Sequence, residues 1–254
     1  MTVSVVLVTG GTGTLGKQLV PLLTAQGHQV RVLSRRDGAG THTGDLTTGV
    51  GVAEAAAGAE LVVHAASNTR RFGRGDVTQT RNLLQAIPEA AHLLYVSIVG
   101  IESIPLPYYK QKLACEEAIA SHRAGDDGRY TIFRATQFHD LLALLLQAAE
   151  RLPVAPLPVD FRFQPVAAAE VAERIAALLN QQPRGRADDF GGPEVLTLGD
   201  MARTWQSQRG RPRRVVRFPF PGRIGAGFRQ GRNTCPGHRD GVQTWAEFLQ
   251  ARPR

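Results

Sequence analysis

Val3-Ser4-Val5-Val6-Leu7-Val8 leads into Thr9-Gly10-Gly11-Thr12-Gly13-Thr14-Leu15-Gly16, and Lys17-Gln18-Leu19-Val20-Pro21-Leu22-Leu23-Thr24-Ala25-Gln26 follows, stopped by Gly27. The first run is β-branched and long enough for one buried strand, and the last reads as a helix. Glycines at this spacing between a strand and a helix point to a dinucleotide site rather than to a structural turn alone. Gly10 lets the backbone turn sharply, Gly13 keeps a Cβ away from a pyrophosphate, and Gly16 lets helix and strand pack closely. Gly10, Thr12, Gly13, Thr14, Leu15 and Gly16 are therefore the expected phosphate-binding stretch, with amides at the helix start facing the anion.

Working outward, Gln29-Val30-Arg31-Val32-Leu33 is the second strand and ends at Ser34-Arg35-Arg36. A carboxylate at this point would hold the ribose 2′-hydroxyl of NAD. Ser34 cannot, and two arginines suit a 2′-phosphate, so NADP(H) is favoured over NAD(H). Asp45-Leu46 follows a short third strand, where Asp45 either accepts the adenine amino hydrogens or caps the next helix. Leu61-Val62-Val63-His64 is a buried strand ending in Ala65, Ala66 and Ser67, small enough for a cofactor ribose to approach. His64 reads as a satisfied core histidine rather than a catalyst. Asp76 is an expected N-cap for the helix through Ala86.

The chain has 254 residues, 43% of them hydrophobic, which allows one continuous core over residues 1–254 with a small substrate lobe built from residues 136–254. No apolar run approaches the ~20 residues of a membrane span. The amino-terminal run lacks a basic leader, and there are only two cysteines, so a reducing cytoplasm is expected. The seven histidines form no spaced ligand set, so no metal is expected. Only Lys17, Lys110 and Lys112 are lysines, and Arg203 to Arg239 holds ten arginines and no acid. Prolines and glycines interrupt that stretch, so it reads as solvated surface or as a flank for an anionic ligand, not as a nucleic-acid site.

The remaining chemistry lies at Pro107-Tyr108-Tyr109-Lys110-Gln111-Lys112. Pro107 suits a first helical turn, and Tyr108 and Lys112 then share a face at i and i+4. A free tyrosine titrates near ~10. A neighbouring ammonium would lower that value and let Tyr108 pass a proton to a carbonyl oxygen. Ser97, at the end of the fifth strand, would orient the same oxygen, and Lys112 would also hold ribose hydroxyls. Tyr109 is the competing hydroxyl. Tyr130-Thr131-Ile132-Phe133-Arg134 is the sixth strand, and the backbone of Ala135, Thr136, Gln137 and Phe138 at its end is placed to meet a nicotinamide carboxamide. Leu141 to Leu146 is a leucine-rich helical run, expected to be buried or to line an apolar pocket. Pro153, Pro156 and Pro158 suggest an extended loop, and Asp240 to Gln250 a final helix with Val242, Trp245, Phe248 and Leu249 inward.

Thr9-Gly10-x-Thr12-Gly13-x-x-Gly16, Val77-x-x-Thr80-x-Asn82-Leu83-Leu84, Ser97 and Tyr108-x-x-x-Lys112 together resemble the short-chain dehydrogenase/reductase superfamily. Val96 to Gly100, Tyr108-Tyr109 and Arg134 to His139 resemble its atypical, NmrA-like NAD(P)H-binding reductases. The resemblance implies a doubly wound α/β Rossmann fold, bound NADP(H), and a substrate cleft in which His139 and Tyr109 are candidate walls. The expected protein is an NADPH-dependent oxidoreductase, monomeric or dimeric, acting on a carbonyl or quinone-like small molecule without membrane or nucleic-acid partners. A non-catalytic NADP(H) sensor is the alternative. A sugar-nucleotide epimerase or dehydratase is a third reading without a matching signature.

Overall fold

The computed structural model describes residues 3–38, 40–124, 128–209 and 214–252. Arg211, Pro212 and Arg213 of the arginine-rich stretch lie outside the described residues. The chain packs as two units. The first comprises Met1–Ser97, Pro107–Arg134 and Val171–Asp188, and the second comprises Ile98–Leu106, Ala135–Glu170 and Asp189–Arg254. The chain thus passes between the units several times.

The first unit is built on a parallel sheet of seven strands: β1 (Val5–Thr9), β2 (Gln29–Ser34), β3 (Thr41–Thr43), β4 (Leu61–His64), β5 (His92–Ile98), β6 (Tyr130–Ala135) and β9 (Gly185–Arg186). Their order is β3-β2-β1-β4-β5-β6-β9. Central β1 pairs Val8 with Val32 on one side and with Val63 on the other. A strand covered on both faces must be apolar throughout, and Val6, Leu7 and Val8 are fully buried. Helices α1 (Gly16–Ala25), α2 (Val52–Ala56), α3 (Asp76–Ala86) and α4 (Pro107–His122) belong to this unit, and α6 (Ala168–Leu179) crosses the division. Leu7, Val62, Leu83, Leu93 and Ile119 meet in one core. In the same unit, buried Arg134 donates to buried Glu116 at 2.8 and 2.6 Å, so the two charges satisfy each other. The sheet order reverses direction between β1 and β4. At such a switch the loops diverge and leave a crevice beyond the carboxyl ends of the strands.

The second unit holds α5 (His139–Ala149), β7 (Val154–Leu157), β8 (Arg162–Phe163), β10 (Leu196–Thr197), α7 (Leu198–Arg209), β11 (Arg214–Arg217), α8 (Gly222–Arg229) and α9 (Trp245–Ala251). Leu142, Leu146, Leu157, Leu198, Trp205 and Trp245 form its core. Gly100 has φ +78°, and a Cβ there would sit 1.9 Å from the Arg232 carbonyl, so the position admits only glycine.

Three expectations for this unit change. Helix α5 is not buried all round: Leu142, Ala143 and Leu146 face the core while Leu141, Leu144 and Leu145 face water. The proline-rich loop contains β7, which accepts Pro156 because it is paired along one side by β11. The final helix starts at Trp245, not Asp240. Thr244 and Glu247 form a reciprocal capping box that fixes its start, which leaves Val242 exposed instead of inward.

Candidate functional site

The turn after β1 is shaped by what its glycines lack. Gly10 has φ +74°, and a Cβ on it would lie 2.7 Å from Ala66 N. A Cβ on Gly16 would lie 2.4 Å from Gly11 Cα. These two glycines therefore bring the turn against the end of β4 and bring α1 against the turn. Gly11, which the motif reading passed over, does similar work, since its Cβ would strike the Val32 side chain at 2.6 Å. The Gly13 amide turns back to Gly10 O and the Lys17 amide to Gly13 O, both at 3.0 Å. Thr12, Gly13 and Thr14 are exposed, whereas Gly16 and the Leu15 side chain are buried, so only the Leu15 backbone can meet a ligand.

A cleft of about 600 Å³ opens over this turn. Its walls bring together Gly10, Thr12 and Gly13, then Ser34, Arg35 and Arg36 after β2, Asp45 and Leu46 after β3, and Ala65, Ala66 and Ser67 after β4. Asp37, Asn68 and Gln79 also line it and were not singled out by the sequence. Asp45 Oδ1 accepts the Thr47 amide at 2.8 Å, closing a turn beside the cleft rather than capping a helix. A glycine cradle without Cβ atoms, continuous with arginines at one end and small residues at the other, fits a dinucleotide. Gly10, Thr12 and Gly13 would hold its diphosphate, and Ser34, Arg35 and Arg36 its adenosine ribose.

At Ser67 the cleft meets the proton-handling groups. Ser67 Oγ donates to Asp76 Oδ2 at 2.6 Å and lies 3.0 Å from Tyr108 Oη. Asp76 Oδ1 accepts the Asn68 amide at 2.9 Å. Asp76 is not the N-cap of α3. Gly75 takes that place with a left-handed backbone, and the Asp76 carboxylate turns to the Ser67–Asn68 segment instead. Burial pushes the Tyr108 phenol above its ordinary value; the Ser67 hydrogen bond opposes the rise and the Asp76 charge adds to it. The expected lowering by Lys112 is thus not found. Lys112 is buried and donates to Tyr95 Oη at 3.1 Å and to Val96 O at 2.7 Å, with its ammonium 4.4 Å from the Tyr95 ring centre. Burial lowers the Lys112 value, against the charges of Cys115, Asp76 and Glu116. Tyr95, a β5 core residue, is therefore the partner that spacing alone did not reveal. Ser97 is buried, and its hydroxyl has no hydrogen-bond partner among the described residues.

The other candidates lie in the second unit or in packing. The Thr136 amide donates to Phe190 O at 2.9 Å, and Ala135 bridges to Phe190. The Gln137 side chain exchanges hydrogen bonds with Asn233 at 3.2 Å. Phe138 bridges to Val166 and precedes α5. His139 is fully buried, stacked on Phe248 at 4.8 Å and on Trp245 at 5.8 Å, with Nε2 3.1 Å from Gln243 O. Burial lowers its proton affinity, so the side chain serves the aromatic core of this unit rather than a pocket wall. Tyr109 is buried beside Tyr108, with ring centres 6.4 Å apart. Among the described residues, no three His, Cys, Asp or Glu side chains could hold a metal ion, and no helix is long and apolar enough to cross a membrane.

A doubly wound parallel sheet with a Cβ-free turn at its switch point defines a dinucleotide-binding Rossmann protein. The chain belongs to the NAD(P)H-binding family, whose pattern matches residues 10–182. A ceramide reductase of Caulobacter vibrioides is 29% identical over 250 aligned residues, spanning 88% of this chain and 76% of that protein. A 3-beta-hydroxysteroid dehydrogenase of Mycolicibacterium neoaurum is 38% identical over 81 residues, 29% of this chain and 22% of that protein. Among solved structures, the NADPH-dependent quinone oxidoreductase of Escherichia coli complexed with NADPH is similar with a TM-score of 0.77 at 18% identity, over 96% of this chain and 98% of that one. An NAD-dependent NDP-hexosamine 5,6-dehydratase is similar with a TM-score of 0.77 at 20% identity, over 97% of this chain and 95% of the other. The structural likenesses establish the fold.

Proposed function

We propose that this protein is an NADPH-dependent reductase of a carbonyl or quinone-like small molecule. One observation carries the reading: a single cleft runs from Ser34, Arg35 and Arg36 to Ser67, whose hydroxyl meets Tyr108. The similarity to a protein named ceramide reductase supports reduction as the direction. Bound reduced nicotinamide supplies a hydride. The side chains supply everything else. Arg35 and Arg36 would hold a 2′-phosphate with their N–H donors. Asp37, in the same wall, turns Oδ1 to the Gly38 amide at 2.9 Å. The buried Ser97 hydroxyl, which has no partner among the described residues, would donate to the substrate oxygen, and Tyr108 would supply that oxygen with a proton. Lys112 has one ammonium proton beyond its two hydrogen bonds, and this would hold the nicotinamide ribose.

The test combines thermal unfolding with turnover. NADPH is expected to raise the unfolding temperature more than NADH, and the Arg35→Ala/Arg36→Ala double variant is expected to erase the difference. Tyr108→Phe is expected to lower kcat by roughly 10²–10⁴-fold while NADPH still binds. If NADPH binds and is not oxidised with any of a carbonyl and quinone panel, the reductase reading gives way to that of a nucleotide sensor.

A further inference from the structure

The small sheet of the second unit has an outer face that is apolar and wet. β7 and β11 run parallel, with Val154 beside Arg214 and Pro156 beside Val216. Strand alternation puts these four on one side, while Ala155 and Leu157 turn into the core. The chain continues as Phe218-Pro219-Phe220-Pro221, and Phe218 is 49% and Phe220 39% exposed. This arm is fixed in place. The Phe218 amide donates to Leu157 O at 2.8 Å, and the Phe220 ring abuts core Phe161 at 5.8 Å. Large apolar side chains gathered this way mark an interaction surface.

The charge around the face identifies the partner. Arg203 pairs with Asp200, and Arg217 with Asp160 at 2.6 Å. Arg151, Arg214 and Arg223 are exposed and make no ion pair among the described residues, and no acid occurs between Arg203 and Arg239. We propose that this face docks on an anionic lipid bilayer, with Phe218 and Phe220 entering the acyl boundary and Arg151, Arg214 and Arg223 on lipid phosphates. Pro219 and Pro221 bring no N–H group that would need a partner in that boundary. A second copy of the chain fits less well, because it would set unpaired arginines against their own kind. Nucleic acid would match the arginines but leave the phenyl rings in water. The inference is independent of the reductase reading.

The experiment is co-sedimentation of the full chain with vesicles of phosphatidylcholine alone or with phosphatidylglycerol added. Binding to the mixed vesicles is expected to be roughly ten-fold or more tighter and to weaken with salt. Phe218→Ser/Phe220→Ser and Arg214→Glu/Arg223→Glu should each reduce it to the phosphatidylcholine level while the protein stays folded, and Arg214→Glu/Arg223→Glu should do so without changing thermal unfolding. Three results would overturn the proposal: no preference for anionic vesicles, binding that both double variants retain, or a solution dimer that Phe218→Ser/Phe220→Ser splits.

Discussion

At the scale of single residues, the proton on Tyr108 can be followed by counting. Asp76 accepts on both oxygens, so the one hydroxyl proton of Ser67 points at Asp76. Ser67 must then accept from Tyr108, which leaves the Tyr108 oxygen open to accept from a substrate hydroxyl. In the proposed reduction the same line would run backwards, with Tyr108 giving its proton to the substrate oxygen and Asp76 passing a solvent proton to Ser67 in its place. Asp76→Asn keeps the shape but cannot carry the proton. It is expected to lower kcat by roughly 10²-fold, with a smaller change in NADPH affinity. A wild-type kcat in that variant would exclude the relay. Tyr108 and Lys112 were legible as a pair because an i, i+4 spacing defines a helix face. Their real partners, Ser67 and Tyr95, come from the segment after β4 and from β5, and no local spacing encodes a contact made between distant segments.

At the scale of elements, the opening βα unit is the most legible part of the molecule. Its strand, glycines and helix follow one another directly, and each constraint acts over a few residues. The close approach at Gly16 makes this testable. A Cβ placed 2.4 Å from Gly11 Cα must push α1 away from the turn, so Gly16→Ala is expected to cost about 1–3 kcal/mol and to weaken NADPH binding. Gly237→Ala is the control, since nothing lies within 4 Å of a Cβ there, and its unfolding temperature should match the parent. The carboxyl-terminal elements were harder to read. α8 is short and contains three glycines and two arginines, so its composition argues against a helix despite a clear apolar face. α9 begins where Thr244 and Glu247 cap each other, and hydrophobic spacing alone extended the helix back to Asp240.

At the scale of the whole molecule, the Rossmann class could be read in sequence, but the interleaving of the two units could not. Gln137 and Asn233 are 96 residues apart and hydrogen-bond in the interior, a contact with no local signature. The same burial that hides such contacts sets the response to acid. His64 lies between Thr9 Oγ1 at 2.7 Å and Thr80 Oγ1 at 3.1 Å, and burial, with the Lys112 charge, lowers it to about 3. His92 bonds Thr131 Oγ1 at 2.8 Å, and burial, with Arg129, lowers it to about 4. Both are neutral when folded, yet in the unfolded chain they take up protons below about pH 6.5. Between that point and the folded values the unfolded state binds more protons, so stability falls as the pH falls, by up to about 1.4 kcal/mol per pH unit for each histidine. Chemical denaturation at a series of pH values from neutral to mildly acid should show this slope. His64→Gln, whose amide does not titrate, should remove its share of that slope, up to about 1.4 kcal/mol per pH unit, whatever the variant does to stability at neutral pH. An unchanged slope in His64→Gln would mean that acid acts on this protein through its carboxylates instead.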